Sequence, residues 1–181
     1  SGIFISTQNG PVTLENCLIS GNQVETTNAS AGGLYVNSGI TVLVKDTVIK
    51  NNQYVGTNAY PGGVYLNGTN CVYTMEGGAL YGNIGGSSSQ ANDFKSNSDK
   101  NVTLVEADEM TDPWDSDASF AYYVWLNNGK PLASAPNGVA AIGTCNLTAS
   151  YYCTENVENE RTGTLYNTLA DAMKDAAAGD T

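Results

Sequence analysis

The sequence predicts an all-β fold, a parallel β-helix in which short strands wind into stacked coils. Three observations lead there. A segment recurs about every thirty residues: Asn22-Gln23 and Thr27-Asn28-Ala29 return as Asn52-Gln53 and Thr57-Asn58-Ala59, and Gly32-Gly33 returns as Gly62-Gly63. Within the repeats, Val12 and Leu14, then Val42 and Val44, alternate with Thr13 and Leu43, which is strand spacing and not helix spacing. Between the strands stand Gly and Asn, which tolerate the left-handed conformations of sharp corners. A unit this small cannot bury its own apolar face, so the units must stack.

In chain order, Gly2-Ile3-Phe4-Ile5, Gly33-Leu34-Tyr35-Val36 and Gly63-Val64-Tyr65-Leu66 are three versions of one short strand. Ile3, Ile5, Leu34, Val36, Val64 and Leu66 are assigned inward, in columns. Phe4, Tyr35 and Tyr65 alternate with them and are expected to form an outward aromatic ladder; a one-residue slip would invert the two faces. A second strand-rich stretch follows each, over 12–22, 42–52 and, one residue out of step, 73–83. Residues 24–31 and 54–61 leave the coils at the same corner as longer loops. The spacing of leucine-rich repeats and the Trp-Asp marks of propeller blades are both absent.

Beyond the coils, 109–163 is no longer periodic. An aromatic strand is expected over 119–126, with Asn127-Asn128-Gly129-Lys130 as a hairpin turn and Pro131-Leu132 as the start of the return. Residues 139–142 and 150–152 offer two further strands. A β-helix leaves its last coil with an open hydrogen-bonding edge, so 109–163 is assigned a capping and linking role. An independent β-sandwich-like binding module is the alternative.

Gly-Gly-Leu-Tyr-Val-Asn-Ser-Gly at 32–39, Val-Lys-Asp-Thr-Val-Ile-Lys-Asn-Asn at 44–52 and Met-Glu-Gly-Gly-Ala-Leu-Tyr-Gly-Asn at 75–83 resemble the repeats of large bacterial surface proteins. These belong to the pectate-lyase-like superfamily of adhesins and polysaccharide-degrading enzymes. The resemblance implies a right-handed, single-stranded parallel β-helix over 1–108, the terminal part of a longer solenoid. Ala91-Asn92-Asp93-Phe94 with Val102-Thr103-Leu104 looks like its last coil. Residues 164–181 look like the start of a following β-helix, a strand plus a cap helix. There Thr168 is the N-cap, Asp171 lies near the positive helix end, and Leu169, Ala172, Met173 and Ala176 share one face. A short amphipathic helix packed on its own domain is the plainer reading. The superfamily hosts many functions on one scaffold, so the resemblance speaks to fold more than to activity.

The chain has 181 residues, a formal charge of −11, no histidine and seven Lys plus Arg. That balance argues against duplex nucleic acid as a partner, which needs a basic footprint. It also disfavours an anionic membrane surface, and no apolar stretch is long enough to insert. An acidic, weakly charged surface rich in Asn, Thr, Ser, Gly and Tyr resembles secreted bacterial repeat proteins, so an extracellular location, cell-surface or secreted, is expected. Cys145 and Cys153 bracket a loop short enough for a local disulfide in an oxidising compartment. Cys17 aligns with Thr47 and Gly78 whereas Cys71 aligns with Thr41 and Pro11, at different corners, so both are expected to act as small buried hydrophobes.

No catalytic residue is assigned. Acid–base work on a glycosidic bond needs two carboxylates facing one sugar, whereas stacking puts Glu15, Lys45 and Glu76 in one column of alternating charge, and Asn16, Asp46 and Gly77 beside it. Arg161, the only arginine, lies in the connector. No cofactor or metal is expected: Asp115-Ser116-Asp117 resembles the start of a calcium loop, but Phe120 and Ala121 bring no side-chain ligand. The stacked loops are the candidate binding site. Thr26, Thr27, Asn28, Tyr54, Thr57, Asn58 and Tyr60 combine hydrogen-bonding groups with aromatic faces, as sugars require; spacer loops are the bland alternative. The expected function is a structural and adhesive module of a long extracellular bacterial protein, a rigid stalk for weak binding of host or cell-surface glycans. The alternative is a non-catalytic ancillary segment of a carbohydrate-active enzyme. Neighbouring β-helix domains in cis are the expected partners of the chain ends, with head-to-tail self-assembly as the other arrangement.

Overall fold

Alternating apolar residues between glycine and asparagine corners produce short strands that stack in parallel register. The computed structural model describes residues 1–6, 10–86, 92–98, 102–132, 145–151, 157–159, 164–166 and 173. The chain forms two units, Ser1–Ser150 and Tyr151–Thr181. The first holds an all-β solenoid of about three turns. Its strands are β1 (Ile3–Ile5), β2 (Val12–Glu15), β3 (Leu18–Ser20), β4 (Gln23–Glu25), β5 (Leu34–Asn37), β6 (Thr41–Lys50), β7 (Gln53–Val55), β8 (Val64–Asn67), β9 (Val72–Tyr81), β10 (Phe94–Ser96) and β11 (Val102–Thr103). A single 3-10 turn (Ala107–Glu109), β12 (Tyr123–Asn127), β13 (Lys130–Pro131) and β14 (Cys145–Tyr151) follow. In the second unit, β15 (Val157–Asn159) and β16 (Thr164–Tyr166) pair antiparallel.

One wall of the solenoid is the parallel run β1-β5-β8-β10, in which Ile3, Leu34, Val64 and Phe94 stack, as do Ile5, Val36 and Leu66. Leu34, Val36, Val64 and Leu66 are fully buried, Ile5 is buried, and Ile3 packs against this core. The expected inward columns therefore form. Phe4, Tyr35 and Tyr65 do stack on the other face of this wall, at ring separations of 4.8 and 5.7 Å. The column is not open to solvent as expected, however. Phe4 is 61% exposed, but Tyr35 and Tyr65 are buried in a cluster of their own with Ala31, covered by Ala29 and Tyr60. The loop at 54–61 folds back because two large aromatic side chains gain more from cover than from water.

The second wall is β2-β6-β9-β11, with β3 also on β6. Asn16, Asp46 and Gly77 have φ of 52°, 43° and 75°, so each coil turns a corner at the same level. Just before it Glu15 pairs with Lys45 at 3.5 Å, and Lys45 stands beside Glu76. This exposed ladder adds little stability. Asn37 pairs with Asn67, but Thr41 pairs with Val72, so the second turn holds one extra residue. That places Cys71 one position before the partner of Thr41, a correction to the sequence alignment. Cys71 is fully buried, and Cys17 partly so. The third wall is the short pair β4-β7, extended by a bridge from Gln53 to Ile84.

After β11 the chain stops coiling. Met110, Phe120 and Trp125 join the same core as the coils, and Trp125 Nε1 donates to Val105 O at 2.9 Å. β12 begins at Tyr123 and not at 119, because the backbone first turns at Phe120, whose carbonyl accepts from Tyr123 N. Asn128 and Gly129, with φ of 49° and 76°, make the expected hairpin turn. β14 pairs antiparallel with β10, Phe94 opposite Leu147 and Ser96 opposite Cys145, and so covers that edge of the stack. The strand expected over 139–142 and, apart from exposed Met173, the helix expected over 168–178 lie outside the described residues.

Candidate functional site

The pairing of β4 with β7, Val24 opposite Tyr54, brings the two loops side by side. All seven candidate residues therefore meet at one corner, but they do different work. Tyr54 is 1% exposed, and its hydroxyl donates to Thr26 O. Its ring fits because Gly86 lies over it: a Cβ there would come within 2.8 Å of the ring. Asn58 Nδ2 donates to Thr27 O at 2.8 Å, and Asn28 N donates to Thr26 Oγ1 at 3.1 Å. Tyr60, half-buried, lies 5.3 Å from the Tyr54 ring and 5.4 Å from Tyr65. The Lys95 ammonium stands 5.5 Å from the centre of the Tyr60 ring and donates to Ala59 O. Burial lowers the pKa of Lys95 and pushes the Tyr65 phenol up to about 12.

The tyrosines thus tie the loops to the coils, while Thr27, Asn28 and Thr57 face solvent. Beside them is a shallow pocket of about 340 Å³, lined by Gln53, Tyr54, Val55, Gly56, Thr57, Gly85 and Gly86. Its polar equipment is the Gln53 amide, the Thr57 hydroxyl and the glycine backbone. The sequence marked Gln53 only as part of the repeat. The glycine pair at 85–86 was not singled out, because it reaches the loop from the next coil, through the bridge from Gln53 to Ile84 and the bond from Gly86 N to Tyr60 O.

The acids of the 106–117 segment split as well. Lys50 donates to Asp112 Oδ2 at 2.6 Å and to Asp115 Oδ2 at 3.4 Å, and Tyr81 donates to Asp112 at 2.8 Å. The Asp112 side chain is fully buried. Burial works against its charge, but the Lys50 and Tyr81 hydrogen bonds outweigh it and hold the carboxyl below its ordinary value. The hydrogen bond to Asp112 raises Lys50 above its own. These groups clamp the segment after β11 onto β6 and β9. Cys145 is a buried free thiol, its pKa pushed up to about 11 chiefly by burial; Cys153 lies outside the described residues.

The strongest polar arrangement is one the sequence showed only as repeat ends. Asn22 donates from N and Nδ2 to Asn52 Oδ1 at 3.1 and 2.9 Å, and Asn52 does the same to Asn83 at 3.0 and 2.9 Å. Asn83 in turn donates to Asp93 Oδ1 at 2.9 and 2.8 Å. Asn52, Asn83 and Asp93 are fully buried. No protein-family model, curated protein or solved structure matches the chain.

Proposed function

We propose that the chain is a structural and adhesive module of a long extracellular bacterial surface protein of the pectate-lyase-like kind. Its coils serve as a rigid stalk, and the loops of the β4-β7 corner bind host or cell-surface glycans weakly. The supporting observation is the locked corner, where Tyr54 and Asn58 bind the neighbouring loop backbone and leave Thr27, Asn28 and Thr57 outward beside the pocket. Loops held in place lose little entropy on binding, and hydroxyls and amides are the groups that exchange hydrogen bonds with sugars. With Tyr54 buried, ring stacking contributes little. Each hydrogen bond gained in exchange for water is worth about 1 kcal/mol, so useful adhesion rests on many copies acting together.

The coils wind right-handed in this reading, the sense that parallel crossovers overwhelmingly take. It assigns no catalytic role, since Glu15 is spent on Lys45, and Asp112 and Asp115 on Lys50. Neighbouring β-helix domains pack on the chain ends in cis. The test is titration of a panel of host and plant glycans against the full chain and against the double variant Gln53→Ala/Thr57→Ala. Weak binding that the double variant loses, with unchanged circular dichroism, is the expected result. Equal binding by both proteins removes this corner from the reading.

A further inference from the structure

Three coils carry a glycine immediately before their first strand, Gly2 before β1, Gly33 before β5 and Gly63 before β8; before β10 the residue is Asp93. The glycines are needed because a Cβ would run into the next coil's backbone, the carbonyl of Gly63 above Gly33 and that of Asp93 above Gly63, and the position also faces the asparagine ladder. A Cβ at Gly33 would stand 3.1 Å from Asn52 Nδ2, and one at Gly63 would stand 3.0 Å from Asn83 Nδ2. After β11 the chain leaves the coil path, and Asp93 fills the place from its own side. Its Oδ1 takes the two donors of Asn83 that, one coil earlier, would have gone to the next asparagine.

Its second oxygen meets a different neighbour. Inside the ladder, Asn52 and Asn83 turn their amide nitrogens to the carbonyls of Ile19 and Ile49 in the preceding coil. At 93 the neighbour is the antiparallel strand β14, which presents an N–H: Ala149 N donates to Asp93 Oδ2 at 3.0 Å. A residue here must accept on both sides. A carboxyl does so in either protonation state, because the hydroxyl oxygen of a protonated carboxyl still accepts, whereas an asparagine nitrogen only donates and would set donor against donor. Asp93 N also donates to Leu147 O at 2.9 Å, so backbone and side chain together grip β14.

We propose that Asp93 is the latch that ends the parallel stack, closing the asparagine ladder with one oxygen and holding β14 with the other, so that its ionisation sets how firmly the end of the solenoid is shut. The carboxyl is fully buried, and its pKa is pushed up to about 7 by that burial, against the hydrogen bonds from Asn83 and Ala149. The other titratable side chains on the strands around it are Lys95 on β10, Tyr65 on β8, Tyr73, Glu76 and Tyr81 on β9, and Cys145 and Tyr151 on β14; none of them contributes to the shift. Lys95 faces Tyr60 and Tyr65, and Tyr81 is bound to Asp112. The donors make a buried anion tolerable, but burial outweighs them and carries the carboxyl's titration up to neutrality.

The sign follows from linkage. Asp93 moves from an ordinary 3.8 when solvated to about 7 when latched. The closed form therefore binds the proton more tightly between those values. The stability it contributes is complete below the lower value and is lost as the pH rises through the upper one. Mild acid shuts the end of the stack, and alkaline solution loosens it.

Hydrogen exchange of the full chain, read on the 145–151 segment between pH 5 and 9 and corrected for intrinsic rates, tests this. Protection in the wild type is expected to fall by on the order of 10–100-fold across that range. In Asp93→Asn it is expected to be flat and already reduced at pH 5. A flat wild-type profile overturns the proposal, and so does a slope retained in Asp93→Asn. Should that variant not fold, ¹³C titration of the wild-type carboxyl decides. A midpoint near 7 shared with the Ala149 amide supports the latch, and one near 4 overturns it.

Discussion

Two columns rise through the same coils and are built on opposite rules. The asparagine column, Asn22-Asn52-Asn83, is a chain of directional bonds in which Asn22 donates and Asn52 and Asn83 are donor and acceptor at once. The aromatic column, Phe4-Tyr35-Tyr65, is held by area and cover. Its rings meet stacked at 18° in one step and edge-on at 76° in the next. The second kind of contact tolerates variation in residue and angle; the first tolerates none. Their ends show the same contrast. Asp93 ends the asparagine column because only an acceptor fits, whereas Lys95, in register with Tyr65, lays a cation near Tyr60 and Tyr65 at the edge of solvent.

The two rules separate most sharply under substitution. Asn52→Ala is expected to cost the most, about 3–4 kcal/mol. It strips the acceptor from two Asn22 donors and, in a buried place, leaves Ile19 O without its partner and Asn83 Oδ1 with only the backbone N–H of residue 52. Urea melts should show the midpoint falling at unchanged slope. Tyr60→Ala removes the cover from Tyr35 and Tyr65 and should cost about 2 kcal/mol. The same melts, with tyrosine accessibility to a quencher, would register it. Tyr35→Phe should cost least, about 1 kcal/mol, since the ring stays and only the hydrogen bond from Asn67 Nδ2 goes. Phe4 already stands in this column without a hydroxyl, and Asn37 donates to Ser6 O. If Tyr35→Phe proved as costly as Asn52→Ala, the contrast would be wrong.

The repeat made the walls legible. Leu34, Val36, Val64 and Leu66 could be assigned inward because the period of two leaves only two choices and glycine marks each start. The register of Glu15 with Lys45 and Glu76 followed from the same spacing. What stayed hidden was cover. Nothing in a period says that Tyr60 folds back over Tyr65, so Tyr35 and Tyr65 read as open faces and Tyr54 as a surface for sugars. Lys50 and Asp112 were also out of reach, because they meet across sixty-two positions with no repeat linking them. The latch did leave a mark. Asn22, Asn52 and Asn83 recur at the same corner, and the glycine pairs at 32–33 and 62–63 give way to Asn92-Asp93. Its meaning needed the antiparallel strand, which arrives fifty-six residues from Asp93.

The extra residue between Asn67 and Val72 shows where this architecture accepts edits. The strands on either side stay in register with the coil below, and the surplus is taken up at a corner where Gly68 has φ of 119° and Asn70 of 61°. Thr69 and Asn70 are exposed there. Insertions and deletions can accumulate at such a hinge without disturbing a single stacked side chain, while one residue added within a wall would throw every column above it out of phase. The corner at 68–70 is accordingly the place to graft a foreign epitope, and the place where natural relatives would differ in length first.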